Sequence, residues 1–591
     1  MIAFLNWAKS IVLGTLNGLV KVALAIVLVL LIFLLIGLTR GDGLPGSIVL
    51  SADLRTPMAD SSRRVGLDLG DRPLTTMDTV LTLDRATRDS RVKGLFLRLG
   101  DGVLSVAQAE ELDAAIKRFR NSGRFVIAHS QGFDSASVGD YVAAASANEI
   151  WMQPKSTFSA AGVGAGAIFL RGLFDKIDAV PQIAKRSDYK SAADMFMEKD
   201  YTAADREQMN ALLQSWYDSA TAQAAALRKL TPKTVADVFE ASPQFAEDAK
   251  RANLIDRLGY DDDAKDAAIA RGGAGTKLVN LSRYEHNTTN LVDGTLPRVA
   301  LVEAAGDIVD GASHDGFGGG TAIAGDDYAS ALRDAAKDDS VRAIILRVNS
   351  PGGSVTASDQ ILDAIKKAQR AGKPVVVSMG PLAASGGYYI STSANRIIAE
   401  PATLTGSIGV LTGKVSFGKT AGLIGVGVDQ IGVGKNALMD SAVSPYTQEQ
   451  WANLNHQADV IYSDFTQKVA DGRKLPLAKV REIAKGRVWT GADAKERGLV
   501  DELGGFWTAV NAAKDLAKID ANQRVAFKLY PKRVGFFEAV SATFSGSMAG
   551  AKVLEGLAAI EQMPVAHAML ETLRNSSRSG LQLKAVDLPQ D

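Results

Sequence analysis

The chain has 591 residues, with 66 basic and 66 acidic side chains and no cysteine. That length exceeds what one hydrophobic core supports and fits two domains. Zero net charge offers no basic surface for nucleic acid, and the missing cysteine excludes disulfides, thiolate zinc sites and a cysteine nucleophile.

In chain order, the first predicted element is Val22–Thr39, an uncharged 18-residue apolar run. It is long enough to span a hydrocarbon core of about 30 Å. Lys9 and Lys21 precede it, which favours a cytoplasmic N-terminus. A cleavable signal peptide is the competing reading, but Thr39-Arg40-Gly41-Asp42 lacks a small-x-small site. An uncleaved anchor places the rest of the chain outside the cytoplasm.

Beyond the anchor the chain repeats itself. Arg88–Leu99 (RDSRVKGLFLRL) and Lys337–Val348 (KDDSVRAIILRV) share a pattern 249 residues apart, and Ser146–Ile150 matches Ser393–Ile397 at 247. Two copies at so long a period mean a tandem domain duplication rather than a solenoid. Ser47–Leu50 opens the first copy as a strand, and Arg298–Val302 opens the second. Residues 271–276 and 287–290 read as linker. Short β-rich runs alternate with helical segments, as in Ala343–Val348, Ala357–Ala368 and Pro374–Ser378. This predicts βαβ units around a buried, mostly parallel sheet. Long helices follow at Ala203–Leu230 and Gln448–Val469. The tail from about Asp520 finds no partner in the first copy; its Val534–Ile560 segment reads as a packing or assembly helix. The expected domains are thus 1–45 (stub and anchor), 46–295, 296–520 and a tail, 521–591.

The copies differ where chemistry would sit. Ser385, in Ala384-Ser385-Gly386-Gly387, follows a strand expected to end at Ser378 and opens a helix. This exposes its hydroxyl at a strand's carboxyl end, with the Gly386 N–H as a natural oxyanion donor. Pro351-Gly352-Gly353-Ser354 forms a second glycine turn at another strand end, where ligands of parallel α/β folds gather. It offers further unhindered N–H groups. The first copy has Leu104-Ser105-Val106 and Ser137-Val138-Gly139 instead, so its own site reads as lost. A serine needs a base. None of the five histidines has a triad context, no zinc-binding spacing exists, and no cofactor is called for. A lysine kept neutral by burial is the remaining option. The sequence alone does not single one out: aligning the copies from downstream puts Lys435 opposite Lys190, and aligning from upstream does not.

Together the anchor, the PGGS and AASGGYY turns, Thr405–Val410 (TGSIGV) and Tyr189-Lys190-Ser191-Ala192 resemble the long, duplicated form of the bacterial signal peptide peptidase A family. The resemblance spans about residues 1–520. It implies a tandem ClpP/crotonase-like α/β fold and a Ser–Lys dyad, with Ser385 as nucleophile and Lys190 of the other copy as base. Gly386, Gly352 and Gly353 would be oxyanion donors, and Ser407, matched by Ala160 in the first copy, would orient the amine. Short relatives carry both residues in one domain, which keeps Lys435 as the second candidate base. The resemblance further implies peptide substrates, in particular signal peptide remnants, and a homotetramer on the periplasmic face of the inner membrane.

Two other classes share the fold. A crotonase-type acyl-CoA enzyme would use the glycine-turn amides on a thioester, but the anchor and the AASGG serine speak against it. A non-catalytic membrane scaffold would leave Ser385 unreactive towards acylating reagents.

Overall fold

A computed structural model describes Lys21 and residues 42–61, 73–134, 137–288, 295–312, 322–423, 425–531 and 582–584. The apolar run Val22–Thr39 and the segment Val534–Ile560 lie outside these residues. No helix among the described residues is long and apolar enough to cross a membrane.

The strands of the first half are β1 (Ile48–Asp53), β2 (Val92–Arg98), β3 (Phe125–Ser130), β4 (Glu149–Met152), β5 (Thr157–Phe158), β6 (Val180–Arg186), β7 (Gln244–Phe245), β8 (Arg257–Leu258) and β9 (Lys277–Asn280). Six of them form a parallel sheet in the order β8-β4-β3-β2-β1-β9. The second half contributes β10 (Arg298–Ala305), β11 (Asp307–Val309), β12 (Ala322–Ala324), β13 (Val341–Ser350), β14 (Gly352–Ser354), β15 (Val375–Ala384), β16 (Arg396–Ala399), β17 (Leu404–Gly406), β18 (Val410–Ser416), β19 (Val488–Thr490), β20 (Glu502–Leu503), β21 (Ala526–Tyr530) and β22 (Gln582–Lys584). Here β20-β16-β15-β13-β10-β21 repeats the first arrangement strand for strand, again parallel. Even a register shift recurs, at Ile48/Val49 and at Arg298/Val299. The strands are nearly continuous runs of buried Val, Ile, Leu and Ala, as parallel strands covered on both faces require.

The long helices repeat as well. Ala203–Arg228 and Gln448–Arg473 each begin at a threonine cap, Thr202 or Thr447, whose hydroxyl accepts an N–H of the first turn. Each ends at a left-handed lysine, Lys229 or Lys474.

Three sequence expectations need correction. Strand β15 runs to Ala384 rather than Ser378, so the serine follows directly on the sheet. Between the two stretches read as linker the sheet gains a strand that the sequence did not announce, β9, which pairs with β1 and completes the first sheet. The tail is not without a counterpart: β21 pairs with β10 as β9 pairs with β1, so the second copy reaches past residue 520 to Tyr530. These terminal strands were missed because each follows a long helical stretch and carries little sequence identity with its twin.

A third, mixed sheet, β12-β11-β14-β22-β18-β6, joins the halves. In it β6 runs antiparallel to β18 over seven residue pairs, from Val180↔Ser416 to Arg186↔Val410. One hydrophobic core also crosses between the halves, with Val299, Ile345, Val376 and Phe506 packed into the first sheet's cluster. At that junction Arg347, fully buried, donates to Asp60 Oδ1 (2.7 Å) and Oδ2 (3.0 Å), to Glu111 Oε2 (2.7 Å) and to Ser378 Oγ (2.9 Å).

Candidate active site

Two chain segments meet from opposite halves. Ser385 sits between β15 and the helix Gly386–Ser391, with φ 54° and ψ −113°. That conformation is unfavourable for a residue with a Cβ and persists only where the surroundings enforce it. They do: the Ser385 N–H donates to Gly406 O (2.8 Å), and the Ser385 carbonyl accepts from Tyr389 N (2.8 Å). The helix is tethered by Tyr388, whose hydroxyl donates to Leu499 O (2.9 Å).

Lys190 arrives on the loop after β6. Its Nζ lies 2.8 Å from Ser385 Oγ, 3.0 Å from Ser407 Oγ and 3.2 Å from Ser407 O. Lys190 is 1 % exposed and Ser385 is fully buried. Burial lowers the lysine pKa well below 10.5, as expected for an ammonium denied water. The loop is gripped from both copies. Tyr189 N–H donates to Lys485 O (3.2 Å), and Gln208 Nε2 donates to Tyr189 O (3.1 Å) and Ser191 Oγ (3.0 Å). Gly486, at φ +77°, lies so close that a Cβ there would come within 2.5 Å of Lys190 Cβ. Neither Gln208 nor Gly486 stood out in the sequence; the only signal was the small residue in Ala484-Lys485-Gly486-Arg487.

The glycine turn stands beside the serine's helix. A Cβ on Gly386 would be 3.0 Å from Gly352 Cα and 3.1 Å from Gly353 N. Gly353 has φ +147°, and a Cβ there would lie 2.0 Å from Ile308 O. The Gly352 N–H already donates to Ser350 Oγ (3.2 Å), which leaves Gly353 as the turn's candidate oxyanion donor alongside Gly386. The structure therefore brings Ser385, Lys190, Ser407, Gly386, Gly352 and Gly353 together. Lys435 is elsewhere, exposed and ion-paired with Glu449.

In the first copy, Val138 and Gly139 stand where Ser385 and Gly386 stand in the second. The next residue, Asp140, replaces Gly387. Its buried carboxylate accepts the N–H of Gly100 (3.0 Å) and of Leu104 (3.2 Å). Leu104 precedes the helix-capping Ser105 as Gly353 precedes the helix-capping Ser354. In the first copy the N–H that corresponds to that of Gly353 is thus taken by a side chain of the same copy. Burial raises the pKa of Asp140 to about 6. Asp140 is inconspicuous in the sequence because it is a group gained where the second copy has Gly387, not a group lost.

The peptidase family S49 model matches residues 118–273 and 367–520, just over half the chain, and the Clp protease model matches residues 326–403. Protease 4 of Salmonella typhi is 34 % identical over 458 residues, covering 75 % of this chain and 72 % of that one. Protease 4 of Haemophilus influenzae is 33 % identical over 473 residues, with coverages of 77 % and 74 %. Among solved structures, a membrane-bound stomatin-specific protease in complex with a substrate peptide aligns over 42 % of this chain and 99 % of its own, at 18 % identity and a TM-score of 0.26. Neither an acyl-CoA enzyme nor a scaffold accounts for the family matches; the chain belongs to peptidase family S49 and is a serine-type endopeptidase of the signal peptide peptidase kind.

Proposed function

We propose that hydrolysis runs on a Ser–Lys dyad drawn from the two copies, Ser385 as nucleophile and Lys190 as general base. The observation that carries this is the 2.8 Å contact between Lys190 Nζ and Ser385 Oγ in a site closed to water. A neutral amine has two N–H donors and one lone pair. Ser407 O and Oγ take the donors, and the lone pair is left for the serine hydroxyl. Lys190 takes the proton of Ser385 as Oγ attacks the scissile carbonyl. The tetrahedral oxyanion is held by the N–H groups of Gly386 and Gly353. The protonated lysine then gives its proton to the leaving amine, and the acyl-enzyme is cleared by a water that Lys190 deprotonates.

The substrates we assign are signal peptide remnants and other membrane-associated polypeptides. The reading includes an uncleaved Val22–Thr39 anchor in the inner membrane, both copies on the periplasmic side, and a homotetramer. The uncharged length of that run supports the anchor, and resemblance to the family supports the tetramer.

The test is intact-mass analysis of the purified full chain after treatment with a fluorophosphonate. One adduct is expected on Ser385, absent from Ser385→Ala and Lys190→Ala. An adduct that survives in both variants overturns the assignment. Because the amine must be neutral, kcat/KM rises with pH through the depressed lysine pKa and levels off below 10.5; a rate that falls over that range contradicts a lysine base. Gly353→Ala should reduce kcat about 100-fold, the scale of one lost oxyanion donor, because its Cβ would displace the turn from Ile308.

A further inference from the structure

The dyad needs a lysine amine held within hydrogen-bond reach of a serine on the other copy, and a misplacement of about 1 Å costs on the order of 10²-fold in rate. Ser385 and Ser407 hold the tip of Lys190. Its backbone is held from the helix Ala203–Arg228. There Gln208 is 2 % exposed. Its Nε2 lies 3.1 Å from Tyr189 O and 3.0 Å from Ser191 Oγ, so one amide grips the residue before the lysine and the residue after it. Asp205 Oδ1, 2.8 Å away on the same helix, orients that amide. The other end of the amide, Oε1, accepts the N–H of Val488 (3.3 Å) in β19. Val488 stands opposite Gly406 of β17, whose carbonyl accepts the Ser385 N–H (2.8 Å). One side chain thus ties both flanks of the base to the strand pair that seats the nucleophile.

Glu207 acts one step further out. Its two oxygens accept from Arg487 (2.6 and 2.8 Å). The Arg487 guanidinium lies 4.9 Å from the centre of the Tyr189 ring, and the Arg487 carbonyl accepts the Ser407 N–H (2.7 Å). Two consecutive residues of the first copy therefore meet two consecutive residues of the second around the lysine's loop. The repeat supplies a contrast. Counted from the caps Thr202 and Thr447, Glu207 and Gln208 correspond to Ala452 and Asn453, both exposed. On the proposed dyad the second copy lends no base, and its helix carries no such grip.

We infer that Gln208 is a positioning residue for the general base: through Tyr189, Ser191 and Val488 it sets the lysine of one copy at hydrogen-bond distance from the serine of the other. The inference rests on the proposed dyad. Charged groups around the loop include the Lys185–Asp194 pair, Asp205, the Glu207–Arg487 pair and Lys485, whereas the hydrogen bonds of Lys190 Nζ go to uncharged partners. Burial is what depresses the amine's pKa. An amine that drifts from its slot regains water and titrates closer to 10.5. The pH at which the rate rises therefore reads the lysine's position, which a mere loss of stability would not move.

The experiment uses the full chain, its Gln208→Met variant, which keeps the side chain's length without the amide, and Ser191→Ala, which removes one of the two grips. With a fluorogenic peptide, Q208M should lower kcat about 10- to 100-fold with KM within about twofold. Its kcat/KM should rise with pH at least about half a unit later than the parent's. S191A should move both quantities the same way by less. A parent-like kcat in Q208M overturns the inference, and so does a lowered kcat with an unmoved pH profile, because Gln208 would then only support the fold. Should Q208M fail to fold, S191A decides alone, and an unmoved profile there overturns the inference. Fluorophosphonate labelling of Ser385 in the same samples tells the two failures apart. If Lys190→Ala stays unlabelled while Q208M is labelled as fast as the parent at every pH, only the positioning role fails. If Lys190→Ala is labelled like the parent, the dyad itself fails.

Discussion

Lys190→Met is expected to abolish peptide hydrolysis and to raise the melting temperature at once. In the proposed dyad Lys190 is the base: among the described residues its amine is the group hydrogen-bonded to Ser385 Oγ that can take the proton, and removing a dyad member costs on the order of 10³-fold or more. The gain in stability follows from linkage. Burial holds the folded-state pKa well below the 10.5 of the unfolded chain, so between those two values the unfolded state binds a proton that the native state does not. Stability therefore rises with pH across that window, and the buried amine costs most below it. Methionine keeps the volume without the amine. The rise in melting temperature should be largest near neutral pH and fade as pH approaches 10.5. A purely structural lysine would show the opposite pair of results, retained hydrolysis and a fall in melting temperature. Lys435→Ala, at an exposed ion pair, should leave kcat/KM within about twofold and stability within ~1 kcal/mol.

Arg347→Ala should be the most destabilising single change at the junction of the two copies, by about 3–5 kcal/mol. The guanidinium is enclosed by Asp60 and Glu111 of the first copy and by Ser378 of the second. Its removal leaves two buried carboxylates without their cation. Glu400, close by, is already held well above its usual range by burial, with Glu111 and Glu110 raising it further and Arg347 opposing them. Without the arginine the folded state keeps the Glu400 proton to still higher pH, while the unfolded chain releases it near 4.5. The variant's deficit should therefore grow as pH rises past the point where the parent begins to ionise Glu400, which denaturant midpoints at the two ends of a pH series will read. Equal deficits at both would place the loss in packing rather than charge.

The duplication and the glycine turns were legible because they are local: short strings that survive 249 residues apart, and small residues placed at strand ends. The serine was legible for the same reason. The base was not. Lys190 belongs to a loop that only β6–β18 pairing carries across to Ser385, and no spacing in one copy encodes a contact between two. The junction was equally silent, since Asp60, Glu111 and Arg347 are ordinary charges until folding buries them together. Strand β21 was missed because a terminal strand of five residues is recognisable only by its neighbour in the sheet.

Asp140 bears on history as well as structure. Restoring chemistry to the first copy would require a serine at Val138, removal of the carboxylate at Asp140, a glycine at Leu104 and a hydroxyl at Ala160. No single step among these helps. A serine introduced beside the carboxylate meets a Leu104 N–H already taken by Asp140, and removing the carboxylate first leaves that N–H buried without its acceptor. Each intermediate is less stable or no more active than its parent, so the loss behaves as a ratchet. On the proposed dyad the chain is committed to one reaction centre for every two folded copies, and selection acts on the first copy through the lysine it lends and the surface it buries.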